Sequence, residues 1–253
     1  MTDLTLSSIA AGCIVAGVLV GMWLQILLPT DHLSDKSQAT VTLGAGMIAT
    51  MSALVLGLLV SSAKNSYDVA NADIAQIGAK FIALDELLAE YGPETKPLRE
   101  QLKTTLAERI DAIWLRQTNA PSGLRAIEAS KITATLQKRW SELVPVNDEQ
   151  KMLLPELRQI NGDIRQNRLL LIEQQQEGLP PVLLGLLVFW LTLLFVSFGL
   201  FAPRNVTVIS VLLVCALSVA SAIFLILEMN HPLEGIIQVS SAPLRKAVEL
   251  IGH

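Results

Sequence analysis

The sequence predicts an all-α membrane protein with four transmembrane helices and an inserted cytoplasmic helical domain. Three observations carry that expectation. Apolar residues make up 51% of the 253-residue chain and charged residues only 17%, whereas a soluble domain is about 25% charged. Four apolar stretches reach the roughly 20 residues needed to cross about 30 Å of hydrocarbon. The charges are gathered in one interval: residues 64–179 hold 15 of the 19 Lys and Arg and 17 of the 23 Asp and Glu.

The first span is Leu4 to Leu28, ended by Pro29. The N-terminus lacks a basic leader and the apolar run is too long for a signal-peptide core, so this reads as a retained helix. The second span, Ala39 to Ala63, is uncharged. The third, Val182 to Ala202, opens at Pro180-Pro181, and the fourth runs from Val206 to Leu227. Only Pro203-Arg204-Asn205 joins these two, which makes them a helical hairpin. The apolar runs are continuous and not alternating, as helices require and barrel strands do not. The expected divisions are 1–63 for helices one and two, 64–179 for the inserted domain, 180–228 for the hairpin and 229–253 for a C-terminal segment.

Within 64–179 breakers divide helices. Gly92-Pro93 stops a first helix that runs on out of the second span, and Pro97 suits the first turn of the next, which fades after Arg116. Asn119 to Gly123 is a linker, Leu124 to Leu143 a third helix, and Pro145 to Asn147 a break. Asp148 is the expected cap of a fourth helix, with Pro155 either kinking it or marking its true first turn. Leu98, Leu102, Leu106, Ile110 and Ile113, and then Leu157, Ile160, Ile164 and Leu171, recur at helical spacing and predict core stripes.

Four spans put both termini and the inserted domain on one side. Near the membrane that side carries Lys64, Arg165, Arg168, Arg245 and Lys246, against Lys36 and Arg204 on the other. The positive-inside rule makes it cytoplasmic. The net charge of −4 and the lack of a basic cluster exclude a nucleic-acid partner. Cys13 and Cys215 lie in apolar runs and read as small apolar fillers. His32, His231 and His253 are scattered, without metal-ligand spacing, and Asp31-His32 with Asp35 reads as a solvated turn. No nucleophile or phosphate-loop motif is present, so neither an enzyme nor a cofactor nor a metal is expected.

The second span is the informative one. Ala45, Ala49, Ala53 and Gly57 form a small-residue stripe that admits a close neighbour. Leu43, Met47, Thr50, Leu54 and Leu58 form a second, larger stripe. It faces either lipid or another span, or it lines a pore with a hydrophobic constriction gated by dewetting. Gly17 and Gly21 give the first span its own close-packing pair. Glu228, just after the fourth span, is either hydrated at the interface, or caps or pairs with a group of the cytoplasmic domain.

Two pairs of segments resemble known families. Ala63-Lys64-Asn65-Ser66-Tyr67-Asp68 with Tyr91-Gly92-Pro93-Glu94 resembles the bacterial bestrophin-like family. The run from Lys64 to Asp68, and Glu228 with Pro232 and Gly235 followed by Pro243-Leu244-Arg245, are similar to bestrophin segments where the pore helix leaves the membrane and after the last span. Val69-Ala70-Asn71 stands where bacterial bestrophins have an Arg-Trp-Trp-like run. The resemblance implies a homopentameric channel for inorganic ions in the bacterial inner membrane. It assigns pore-lining to the second span, pore exit and vestibule to Lys64, Asn65, Tyr67 and Asp68, and a post-span role to Glu228, Pro232 and Gly235. The acidic balance of the inserted domain, with Asp31 and Asp35 against Lys36, leans to cations. The competing expectation is a membrane-anchored helical scaffold or signalling module that conducts nothing.

Overall fold

A computed structural model describes residues 3–29, 34–115, 143–176, 180–203, 205–233 and 236–252. Among the described residues there are helices and no strands. In order they are α1 (Asp3–Leu27), α2 (Asp35–Tyr91), a 3-10 turn (Pro93–Thr95), α3 (Lys96–Ile110) with a π turn (Asp111–Leu115), α4 (Asp148–Gln176), α5 (Pro181–Phe201), α6 (Val206–Asn230) and α7 (Ala242–Leu250). Four of them, α1, α2, α5 and α6, are long and apolar enough to cross a membrane. The chain divides into two compact units, Met1–Tyr67 with Glu177–Gln238, and Asp68–Gln176 with Val239–His253.

In the first unit α1 packs against α5 and α6. Glycine makes the closest approach possible. A Cβ on Gly17 would stand 2.9 Å from the Thr192 carbonyl oxygen, and one on Gly21 would meet the Val196 carbonyl and, at 2.8 Å, the Leu200 nitrogen. On the facing helix, a Cβ on Gly199 would meet the Val18 carbonyl. Between apolar spans in lipid, such backbone contact supplies the van der Waals gain that a hydrophobic effect cannot. Ile14, Val18, Leu59, Leu187, Ile223 and Ile226 belong to the core around it. The expected hairpin is present: α5 ends at Phe201, and Asn205 caps α6 by accepting from the Val208 amide at 2.8 Å.

In the second unit the stripes pair as the sequence spacing requires. Leu84, Leu88 and Tyr91 of α2, Leu98 and Leu102 of α3, and Leu154, Leu157 and Ile164 of α4 form one core. Ile113 departs from its stripe and is exposed. The π turn at Asp111–Leu115 widens the helix there, so the three-residue step from Ile110 no longer returns to the same face. Trp114 lands inward instead, and its Nε1 donates to the Val239 carbonyl at 2.7 Å.

The break at Pro145 to Asn147 stands, but the cap of α4 is Asn147, not Asp148. Asn147 Oδ1 accepts from the Gln150 amide at 2.7 Å. Asp148 lies in the first helical turn, where its carboxylate accepts from Lys151 Nζ at 2.8 Å. Pro155 is inside α4, not at its start, and leaves the Lys151 carbonyl without a helical donor. The expected linker Asn119 to Gly123 and the third helix from Leu124 up to residue 142 lie outside the described residues. Leu143 is described, is not helical, and packs against the second unit's core.

Candidate functional site

α2 enters the first unit on a narrow stripe. Ala45, Ser52, Leu59 and Ala63 are buried, with Ile48, Ala49, Val55 and Leu56 half-buried beside them. At about 100° per residue the stripe of Leu43, Met47, Thr50, Leu54 and Leu58 points roughly opposite. In the single chain Leu43 is 75% exposed, Met47 66%, Leu54 68% and Leu58 62%. Thr50 is exposed as well, and its hydroxyl donates to the Met47 carbonyl at 2.8 Å. A hydroxyl tied back into its own helix is satisfied at any depth.

Within one chain the small-residue stripe is only partly covered. Each four-residue step drifts about 40° around a helix with 3.6 residues per turn. Ala45 is therefore buried, Ala49 half-buried, and Ala53 and Gly57 exposed. A Cβ on Gly44, Gly46 or Gly57 would meet nothing within 4 Å. The close intrachain approach is made by Gly17, Gly21 and Gly199 of α1 and α5, not by α2.

Past Leu58 the exposed edge turns polar, through Ser61, Asn65 and Asp68, all exposed. Ser61 was not singled out by the sequence reading, although its position on the edge is legible from helical spacing. Lys64 is exposed on the adjoining flank. Tyr67 is half-buried, and its hydroxyl donates to the Gln238 carbonyl at 3.4 Å.

Glu228 is 3% exposed and lies inside α6, which runs on to Asn230. The hydrated reading of this carboxylate is therefore corrected. Its Oε2 accepts from the amides of Ile236 at 2.6 Å and Ile237 at 3.3 Å. Pro232 is buried in the turn between them, and Gly235 lies outside the described residues. Thus Glu228, Pro232 and Tyr67 all act on one short stretch after α6, whereas Lys64, Asn65 and Asp68 line the outer side of α2.

The second family segment forms the end of α2. Gly92 has φ 141, a conformation open to glycine alone. It lets Thr95 Oγ1 fold back onto the carbonyls of Leu88 at 2.5 Å and Gly92 at 2.7 Å. Gln150 Nε2 completes the turn, donating to the Tyr91 carbonyl at 2.9 Å and to Glu94 Oε1 at 2.5 Å.

Among the described residues no three His, Cys, Asp or Glu side chains converge as a metal site. Cys13 and Cys215 are unpaired thiols on the exposed surface of their spans.

Four apolar helices long enough to span a bilayer, with no strand among the described residues, define an all-helical multi-span membrane protein. The profile of the Bestrophin-like domain matches residues 12–244, and the chain belongs to that bestrophin-like family. No curated protein and no solved structure matches it.

Proposed function

We propose that the protein is a homo-oligomeric, pentameric ion channel of the bacterial inner membrane, with α2 lining its central pore and both termini cytoplasmic. One observation carries the reading. α2 is anchored by one stripe, and among the described residues the roughly opposite edge, Leu43 to Leu58, has no intrachain partner. That edge is mainly apolar over about 22 Å of helix, most of the hydrocarbon depth, and ends in Ser61, Asn65 and Asp68. Repeated around an axis it makes a hydrophobic constriction with a polar exit, which gates by dewetting.

Membership of a bestrophin-like family supports the channel class and the pentamer. The excess of basic residues flanking the spans at Lys64, Arg165, Arg168, Arg245 and Lys246 supports the sidedness. Asp68 at the exit, with the acidic balance of residues 64–179, favours cations as the permeant species. The function is passage of ions without bond chemistry, and the protein is not an enzyme.

Purified protein in liposomes is expected to pass monovalent ions and to form a closed ring in projection images. Leu54→Ala is expected to increase flux by opening the constriction, and Thr50→Leu to reduce it. A ring that is intact yet no leakier than empty vesicles would contradict the channel reading and leave a membrane-anchored scaffold.

A further inference from the structure

Residues 239–252 include α7, a helix of nine residues, and helices shorter than about 12 residues do not hold themselves in water. This segment is held from outside. Val239, Leu244, Ala247 and Ile251 are buried. Among the described residues three hydrogen bonds tie it to other elements of the second unit, and all three engage its main chain. Trp114 Nε1 donates to the Val239 carbonyl at 2.7 Å. Lys103 Nζ donates to the Ile251 carbonyl at 2.8 Å. The Gly252 amide donates to Asp85 Oδ2 at 3.0 Å. Near the start of α7 the backbone lies directly on α2, since a Cβ on Gly78 would stand 2.9 Å from the Pro243 carbonyl oxygen.

Asp85 has a double engagement. Asp85 is buried, and its carboxylate takes both prongs of Arg99, Nε on Oδ1 and Nη2 on Oδ2, each at 2.7 Å. The oxygen that takes Nη2 also takes the Gly252 amide. Seating of the segment and the α2–α3 ion pair therefore share one acceptor. A hollow of about 380 Å³ bordered by Ile82, Glu86, Ala89 and Leu250 opens beside it, so water can reach the place where the bond breaks.

We propose that residues 239–252 form a latch that docks and releases as one piece, with the Asp85 carboxylate as its catch. Four apolar side chains are buried, with Pro243 and Val248 half-buried beside them, and the polar ties add to that contact at both ends. Those ties sit at its two ends, so loss of either end frees the other. Because the clamps engage backbone atoms, the polar part of the latch's hold is set by Asp85, Lys103 and Trp114 and adds to the burial of Val239, Leu244, Ala247 and Ile251.

Hydrogen exchange of the full-length protein in lipid nanodiscs tests this without reference to conduction. Asp85→Asn is expected to speed exchange of the amides of 244–252 by about tenfold or more, with those of 181–201 and 206–230 unchanged. Trp114→Phe removes only the tie at Val239 and is expected to speed exchange at Leu250 to Gly252 by a similar factor. If Asp85→Asn does not fold, Lys103→Met reports on the same end through Ile251. Acceleration in Trp114→Phe confined to 239–242 would overturn release as one piece. Equal acceleration of the 84–102 core in the Asp85 or Lys103 variant, or no acceleration at all, would overturn the catch.

Discussion

The Glu228 carboxylate lies 2.6 Å from the amide nitrogen of Ile236, eight residues further along the chain. It is buried in the last turn of α6, where an ionised group without donors is very costly. The chain turns at His231 and Pro232 and presents two successive amides to it. The carboxylate thereby fixes where the chain goes after the last span. Glu228→Ala is expected to destabilise the first unit by about 1–3 kcal/mol, the cost of leaving buried amides unpaired. Glu228→Gln keeps a carbonyl acceptor and is expected to lose less. Thermal unfolding in detergent, with exchange rates at Ile236 and Ile237, reads both, and wild-type behaviour of the alanine variant would refute the role.

Glycines in the spans divide into two kinds. Gly21 and Gly199 sit where the backbones of α1 and α5 meet, whereas Gly57 faces open space. Gly21→Leu or Gly199→Val is expected to separate the two helices and lower the unfolding temperature in detergent by several degrees, an overpacking cost of about 1–3 kcal/mol. Gly57→Ala is expected to leave the single chain's stability unchanged, and any effect is expected in the yield of oligomer.

The second unit is expected to weaken in acid. Burial raises the Asp85 carboxyl, but the Arg99 guanidinium, the Gly252 amide and the nearby Lys103 outweigh it and hold the group below the usual carboxylate range. A folded-state value depressed below the unfolded one contributes stability that is full above the unfolded value. It is lost as pH falls through the folded value. Unfolding monitored by Trp114 fluorescence, with Trp23, Trp140 and Trp190 replaced by Phe, between neutral pH and pH about 3 is expected to show this loss, and Asp85→Asn to flatten that part of the profile. A profile identical in the two proteins would contradict it.

The turn after α2 depends on Gly92. Its φ of 141 excludes an L side chain at low energy. Gly92→Ala is expected to cost about 1–3 kcal/mol, read by urea unfolding in detergent. The loss is expected to be partly shared with Thr95→Val, because Thr95 Oγ1 bonds the Gly92 carbonyl that the turn presents.

Much of this architecture is legible in the order of residues, because it rests on local signals. Span lengths, the Pro-Arg-Asn hairpin, the stop at Gly92-Pro93 and the ladder Leu98, Leu102, Leu106 and Ile110 all follow from spacing and breakers. The edge Leu43 to Leu58 was legible as one stripe for the same reason. Errors arose where a choice between neighbours depends on geometry. Asn147 and Asp148 are both good caps, and only the backbone conformation selects the first. Ile113 keeps the period of its stripe, but a π turn changes the period. Contacts distant in sequence were beyond reach: Glu228 with Ile236, Tyr67 with Gln238, and Asp85 with Gly252 each need the chain path to be known. The small-residue stripe on α2 marks a helix face open to close approach, and four-residue spacing does not say which chain occupies it.

Cysteine accessibility along α2 tests the central claim most directly. With Cys13 and Cys215 first replaced by Ala, single cysteines go at Leu43, Met47, Thr50, Leu54 and Leu58, and at Val214 and Leu217 on the exposed face of α6. The account predicts that a membrane-impermeant cationic thiol reagent labels the α2 set in the reconstituted oligomer and blocks ion flux, while the α6 pair stays unlabelled. Labelling of neither set, or labelling of the α2 set without effect on flux, would contradict an ion path along that edge.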